Sequence, residues 1–175
     1  MKTGVEMEEA SRGEGQGGRR MLRNPFGGTR GHDCFGCSAK NDAGLHLRFA
    51  EEGEWVTCRW KPDVRFQGWD GVLHGGIVTT ILDETSGWAV LRKYQRAAMT
   101  TRIEVKFLHP TPATDPVLVA RARVAGRVNE KIVTAKATLE DASGTVCAEA
   151  EADYYVMDEA RSKAMGFTAC VPEEG

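Results

Sequence analysis

A change of hydrophobic period along the chain does most to limit its possible folds. From Gly75 to about residue 93, the apolar residues Ile77, Val78, Ile81, Leu82, Trp88 and Ala89 fall on one stripe of a 3.6-residue period. Just beyond, the period drops to two, as Thr101, Ile103, Val105 and Phe107 alternate with Thr100, Arg102, Glu104 and Lys106 up to His109-Pro110. A helix striped on one side has to bury that stripe against another element, so helix and strands belong to one core. Residues 45–50 and 55–60 predict a hairpin about the polar turn Glu51-Glu52-Gly53-Glu54, and further strands are predicted over 117–124, 132–139 and 146–156. Ala135, Ala137, Ala148, Ala150 and Ala152 share parity with Val133, Leu139, Val146 and Tyr154, giving one strand face many small side chains. Such a face lets a sheet curve closely around a helix. The predicted class is therefore α+β, one long central helix wrapped by a curved, mostly antiparallel sheet.

At 175 residues the chain suffices for one domain with one core. Residues 1–31, rich in Gly, Arg and Glu without apolar periodicity, are expected to be a disordered arm. The domain then covers 32–157, and 158–175 form a tail with room for a short helix. Lys and Arg number 23 against 25 Asp and Glu, so no broad basic footprint suggests nucleic acid or a membrane surface as partner. No apolar run reaches the length of a membrane span. The five cysteines are an odd and scattered set, which fits reduced thiols and a cytoplasmic protein.

Candidate chemistry gathers at the start of the helix. Taking ~100° per residue, Asp83 points about 170° from the middle of the apolar stripe, on a face shared with Gly76, Thr79, Ser86 and Gly87. Small residues around a carboxylate let another backbone approach, so this face is expected against a second subunit. Partial loss of water would strengthen the carboxylate as a base. Upstream, His74-Gly75-Gly76 brings a chain free of Cβ bulk to the helix start, where unpaired N–H groups suit a developing oxyanion. One bound carbonyl is expected to meet both the N–H near Gly75 and a water activated by Asp83. His74 fits a hydrogen-bonded structural role before it fits a base.

The run from Phe66 and Gln67 through His74-Gly75-Gly76 to Asp83-Glu84 closely resembles the signature of the PaaI-like hotdog thioesterases. Met99-Thr100-Thr101 and Lys106-Phe107-Leu108-His109-Pro110 resemble that family's strand after the helix, and the similarity extends over about 34–156. The resemblance implies a hotdog fold in which two subunits join their sheets, with two acyl-CoA sites at the interface and, in many relatives, a further pairing of dimers. It implies hydrolysis of an acyl-CoA to free acid and CoA without cofactor or metal. Gly75 would supply the oxyanion N–H, Asp83 would act as general base or nucleophile, and Thr100 would assist. Gly68 departs from the pattern, because several relatives carry Asn or Gln there; Gln67 is shifted by one. Gln67, Gly76 and Glu84 are expected around the substrate, with Glu84 as a neighbour of Asp83 or an alternative base. Arg102, Lys106 and His109 are candidates for the CoA phosphates, although on an alternating strand they fit a solvated face equally well. The competing functions are a hotdog 3-hydroxyacyl thioester dehydratase using His74, and a non-catalytic acyl-CoA sensor.

Cys34-Phe35-Gly36-Cys37, followed by Asn41 and Gly44-Leu45, resembles a recurring segment of a PaaI-like subgroup. With His32 and His46 the two cysteines offer four zinc donors, but the spacing fits no common finger and no second Cys pair follows. A packed thiol pair capping the core is expected instead. Trp69 and Trp88 fit either core or an apolar tunnel, with core the expectation.

Overall fold

The computed structural model describes residues 18–174. The striped segment forms helix α1, Gly75–Tyr94. His74 caps its start, and Gln95 ends it in the left-handed region at φ 50, returning its N–H to the Leu91 carbonyl. Arg92 and Lys93 in the last turn face the negative end of the dipole.

The strands are β1 Arg20–Met21, β2 Phe49–Glu52, β3 Trp55–Trp60, β4 Gln67–Trp69, β5 Val72–Leu73, β6 Ala98–Phe107, β7 Leu118–Arg127, β8 Ile132–Glu140 and β9 Val146–Val156, with a short helix α2, Glu159–Ala164, after them. β4 and β5 make a small hairpin of their own. The other seven form one sheet in the order β1-β2-β3-β7-β8-β9-β6, with every neighbouring pair antiparallel. α1 lies across its concave face, which is the expected hotdog architecture. Ala120, Ala122, Ala135, Ala137, Ala148, Ala150 and Ala152 are all buried there, so the helix comes close to the sheet without a gap to fill. Val78, Ile81, Leu82, Trp88, Ala89, Val90 and Leu91 bury the stripe, and Trp88 stacks on Phe49 with ring centroids 4.4 Å apart. Trp88 is core.

Three expectations need correction, the first being Trp69, which was expected in the core beside Trp88 and is exposed. The first strand begins at Phe49 rather than at 45, although Leu45, Leu47 and Phe49 are buried with the predicted period of two. The Leu45 and Leu47 N–H groups bond to the Phe35 and Gly36 carbonyls, so the alternation is real but the partner is a loop. The arm expected to be disordered over 1–31 is ordered where it is described, from Gly18 onwards. Residues 1–17 lie outside the described residues, but β1 pairs with β2, Leu22 is buried, and Arg20 reaches Glu51. Arg92 of α1 meets the other oxygen of Glu51 at 2.5 Å, so one buried carboxylate fastens this segment to the helix end. At the other terminus Phe167 and Cys170 are buried, and among the described residues no helix is long and apolar enough to cross a membrane.

Candidate active site

Asp83 leaves α1 towards β9 and β6. Its Oδ1 accepts hydrogen bonds from Thr100 Oγ1 at 2.8 Å and from Tyr154 Oη at 2.8 Å; the same phenol also lies 2.8 Å from the Asp83 main-chain oxygen. Burial pushes the Tyr154 phenol above the usual tyrosine range, and the Asp83 charge adds to that, so Tyr154 remains a donor. Both side-chain donors point at one oxygen. Oδ2 has no partner among the described residues and is left to accept from a water.

Thr100 reaches Asp83 because β6 does not alternate cleanly. A strict period of two puts Thr100 on one face with Arg102, Glu104 and Lys106. Instead Thr100 pairs with Tyr154 while Arg102 pairs with Asp153, so Thr101 is an extra residue. The bulge turns Thr100 to the helix side, with Ile103 and Val105 following on that side. Tyr154 itself had no assigned role in the sequence. The available signal was a single phenol on a stripe of alanines, a polar tip that has to find a partner when buried.

The His74 ring caps the helix start. His74 Nδ1 accepts from the Gly76 N–H at 2.9 Å, and the Ile77 and Val78 N–H groups go to the His74 carbonyl. Gly76 is thus capped by the His74 ring, which is engaged as a structural acceptor. The Gly75 N–H has no partner among the described residues, as the oxyanion role requires. Gly75 packs on the Phe107 ring; a Cβ there would meet Cζ at 3.4 Å. Eight residues separate Gly75 from Asp83, or ~12 Å along a helix axis, far more than one carbonyl can span. Within a single chain the expected shared site is therefore impossible.

The structure scatters the remaining candidates. Gln67 Oε1 closes the β4–β5 hairpin by accepting from the Gly71 N–H at 3.2 Å. Gly68 lies against His74, where a Cβ would meet Cα at 3.2 Å and Cδ2 at 3.3 Å, so an Asn or Gln at that position would press on the capping ring. Arg102 and Lys106 project from the sheet face opposite the helix, Arg102 bound to Glu104 at 2.6 Å. His109 is exposed just past Phe107, its N–H on the Cys147 carbonyl.

Glu84 turns towards the Cys34-Phe35-Gly36-Cys37 loop, and Cys34 Sγ lies 3.2 Å from its Oε1. A hydrogen bond from Cys37 holds the Cys34 thiol below its ordinary range, against the opposing effect of burial, and giving that bond pushes Cys37 up. Burial raises Glu84 to about 8, with the Cys34 charge next in importance. Phe26, Trp88, Leu91 and the trio line a cavity of about 160 Å³ that also touches Asp83, Thr100 and Tyr154. His46 lies outside this group, with its Nε2 2.7 Å from the Asn41 carbonyl.

Residues 70–148 match the thioesterase superfamily model. That span holds His74, Gly75, Asp83 and Thr100, but not Tyr154 or the cysteine loop. Among solved structures the chain is similar to a thioesterase superfamily protein at 22% identity, over 66% of this chain and 55% of that one, with a TM-score of 0.58. It is similar to PaaI of E. coli, from the phenylacetic acid degradation operon, at 16% identity over 65% and 81% of the two chains, with a TM-score of 0.59. A Streptococcus mutans protein bound to acetyl CoA matches at 18% identity over 63% and 88%, with a TM-score of 0.55. The match spans only 55% of the first of these relatives, and no curated protein matches in sequence. At such identities these likenesses establish the hotdog fold.

Proposed function

Residues 70–148 form a thioesterase superfamily domain on a hotdog fold, and from that premise we propose that the protein hydrolyses an acyl-CoA to the free acid and CoA at sites shared between two subunits. One observation carries this reading: the two halves of the machinery sit at opposite ends of an unpaired edge strand. Gly75 packs on Phe107 at one end of β6, and Asp83 is bonded to Thr100 near the other. β6 is the last strand of the sheet, so one of its sides offers ten residues of backbone to another chain, and Met99, Phe107 and Leu108 are large apolar residues left exposed along it. Antiparallel pairing of two β6 strands about Glu104, with the Thr101 bulge counted as one extra residue, brings Phe107 of each opposite Thr100 of the other. The Gly75 N–H of one copy then faces Asp83 of its partner copy, which removes the ~12 Å obstacle.

In that arrangement a water donates to the free Oδ2 of Asp83, while Thr100 and Tyr154 hold Oδ1 and fix the carboxylate plane. The water loses its proton to Asp83 as it attacks the thioester carbon, and the oxyanion meets the Gly75 N–H. Collapse breaks the C–S bond and expels CoA as the thiolate, which takes the proton held by Asp83 and leaves as the thiol beside the free acid. His109, exposed just beyond Phe107 at this end of β6, is the candidate to serve a CoA phosphate. Arg102 and Lys106, on the far sheet face, do not share that position.

The test is thiol release from acetyl-, hexanoyl-, palmitoyl- and phenylacetyl-CoA by wild type and Asp83→Asn, matched for folding. Turnover by wild type that Asp83→Asn loses supports the reading. Undiminished turnover by the variant rejects Asp83, and tight acyl-CoA binding without turnover by wild type replaces the hydrolase with a sensor.

A further inference from the structure

The cysteine loop and Glu84 are not used by the hydrolytic scheme, yet they form the densest group of metal-binding donors among the described residues. Cys34 Sγ, Cys37 Sγ and a Glu84 carboxylate oxygen lie within 4.8 Å of one another. We propose that these three side chains hold a divalent, sulfur-preferring cation, with zinc the expected ion, and that it ties the cysteine loop to α1 one residue from Asp83.

Two thiolates and a carboxylate are donors that zinc accepts, with metal–sulfur distances of about 2.3 Å and metal–oxygen distances of about 2.0–2.2 Å. Sulfurs on a tetrahedral ion of that size stand roughly 3.8 Å apart, a spacing that small side-chain rotations can supply here. The surroundings hold the donors in place. Gly36, between the two cysteines, lies directly over the Glu84 side chain, and any Cβ there would overlap it. Asn24 Nδ2 contacts Cys37 from behind, at 3.3 Å from its carbonyl and 3.7 Å from its sulfur, as partners outside a ligand set commonly do. The Leu45 and Leu47 N–H groups clamp the Phe35 and Gly36 carbonyls at 2.8 Å, which fixes the loop backbone.

An independent sign comes from His32. Its Nε2 is buried without a hydrogen-bond partner, and the ring lines the same cavity as the trio. A buried nitrogen left unsatisfied asks for an ion or a water. Three protein ligands leave one tetrahedral position on zinc, to be filled by a water that the His32 nitrogen in the same cavity can hold. A pair of packed thiols alone gives no reason to bury a carboxylate against them, whereas a cation does. Binding involves no redox change; protons held by the trio pass to solvent as the ligands take up the metal.

The full chain, reduced and stripped with a chelator, is titrated with zinc, and retained metal is measured after gel filtration. The expected result is one zinc per chain, with Cys34 and Cys37 losing their reactivity towards Ellman's reagent as it binds. Cys58, Cys147 and Cys170 are buried and contribute little to that signal. Cys34→Ser, Cys37→Ser and Glu84→Gln are each expected to weaken binding by about tenfold or more. Should a serine variant fail to fold, cobalt in the wild-type protein gives sulfur-to-metal charge-transfer absorption without any substitution. No retained zinc overturns the proposal, as does retention by Glu84→Gln and both serine variants at wild-type strength, or cobalt spectra without sulfur bands. None of these readouts depends on hydrolysis, so failure here is separate from failure of the thioesterase reading.

Discussion

Asp83 carries out little by itself; its neighbours set what its carboxylate can do. Tyr154→Phe removes a charge-assisted hydrogen bond and is expected to cost about 1.5–3 kcal/mol of stability. Activity falls with it, because Oδ1 then has Thr100 alone to hold it. Chemical denaturation beside thiol-release kinetics checks both effects. The raised phenol also has a pH signature. A tyrosine that ionises later in the folded than in the unfolded state contributes stability below the ordinary range near pH 10 and loses that contribution as pH climbs towards the folded value. Wild type is therefore expected to lose stability above about pH 10 more steeply than Tyr154→Phe, as read from denaturation midpoints across pH. At the helix start, Gly75→Pro deletes only the N–H proposed for the oxyanion. Proline is tolerated at the first helical position, and His74 already has the extended ψ of 134 that a residue before proline needs. The expected outcome is a folded protein with kcat lowered by about 10²–10³-fold.

At the scale of elements, α1 and β6 carry the function jointly. The alanines of β7, β8 and β9 allow α1 to lie low on the sheet, so its buried side chains fill the space completely. Leu82→Ala is expected to cost about 2–5 kcal/mol by leaving a cavity under the turn that carries Asp83, measurable as a lower denaturation midpoint. The bulge in β6 matters in another way. Deleting Thr101 removes the extra residue and leaves Thr100 opposite Tyr154 on the helix side, so the Asp83 hydrogen bond is kept in a regular ladder. Activity should persist together with the sheet, and circular dichroism with the thiol assay would register the two separately. Strand periodicity was legible in the chain, but a one-residue bulge leaves no mark in a pattern of Thr, Thr and Arg.

For the whole molecule, the proposed dimer makes a prediction that no single-chain site shares. Asp83→Asn and Gly75→Pro homodimers should both be nearly inactive, whereas a co-expressed mixture should regain activity. A mixed dimer has one site in which the intact Gly75 and the intact Asp83 come from different chains. Random pairing makes about half of the dimers mixed, each with one working site of two, so about a quarter of wild-type activity is expected. Recovery near zero in mixed dimers isolated by two affinity tags would place both groups in one subunit and contradict pairing through β6.

The alternation of side chains and the helical stripe, both local properties of the chain, were enough to predict the long helix, six of the seven strands of the main sheet and the small-residue face between them. The run around His74-Gly75-Gly76 and Asp83 was likewise readable as a short segment. What the chain could not disclose were contacts between residues far apart in sequence: Tyr154 and Thr100 on Asp83, and Glu84 against a cysteine loop fifty residues away. The zinc reading weighed and set aside in the sequence drew on His32 and His46 as neighbours along the chain, whereas the carboxylate beside the two cysteines arrives on a helix. Periodicity reports which face of an element is buried. Which side chains meet across that face depends on register, on a bulge and on how closely two elements approach, and those are decided only when the whole core packs.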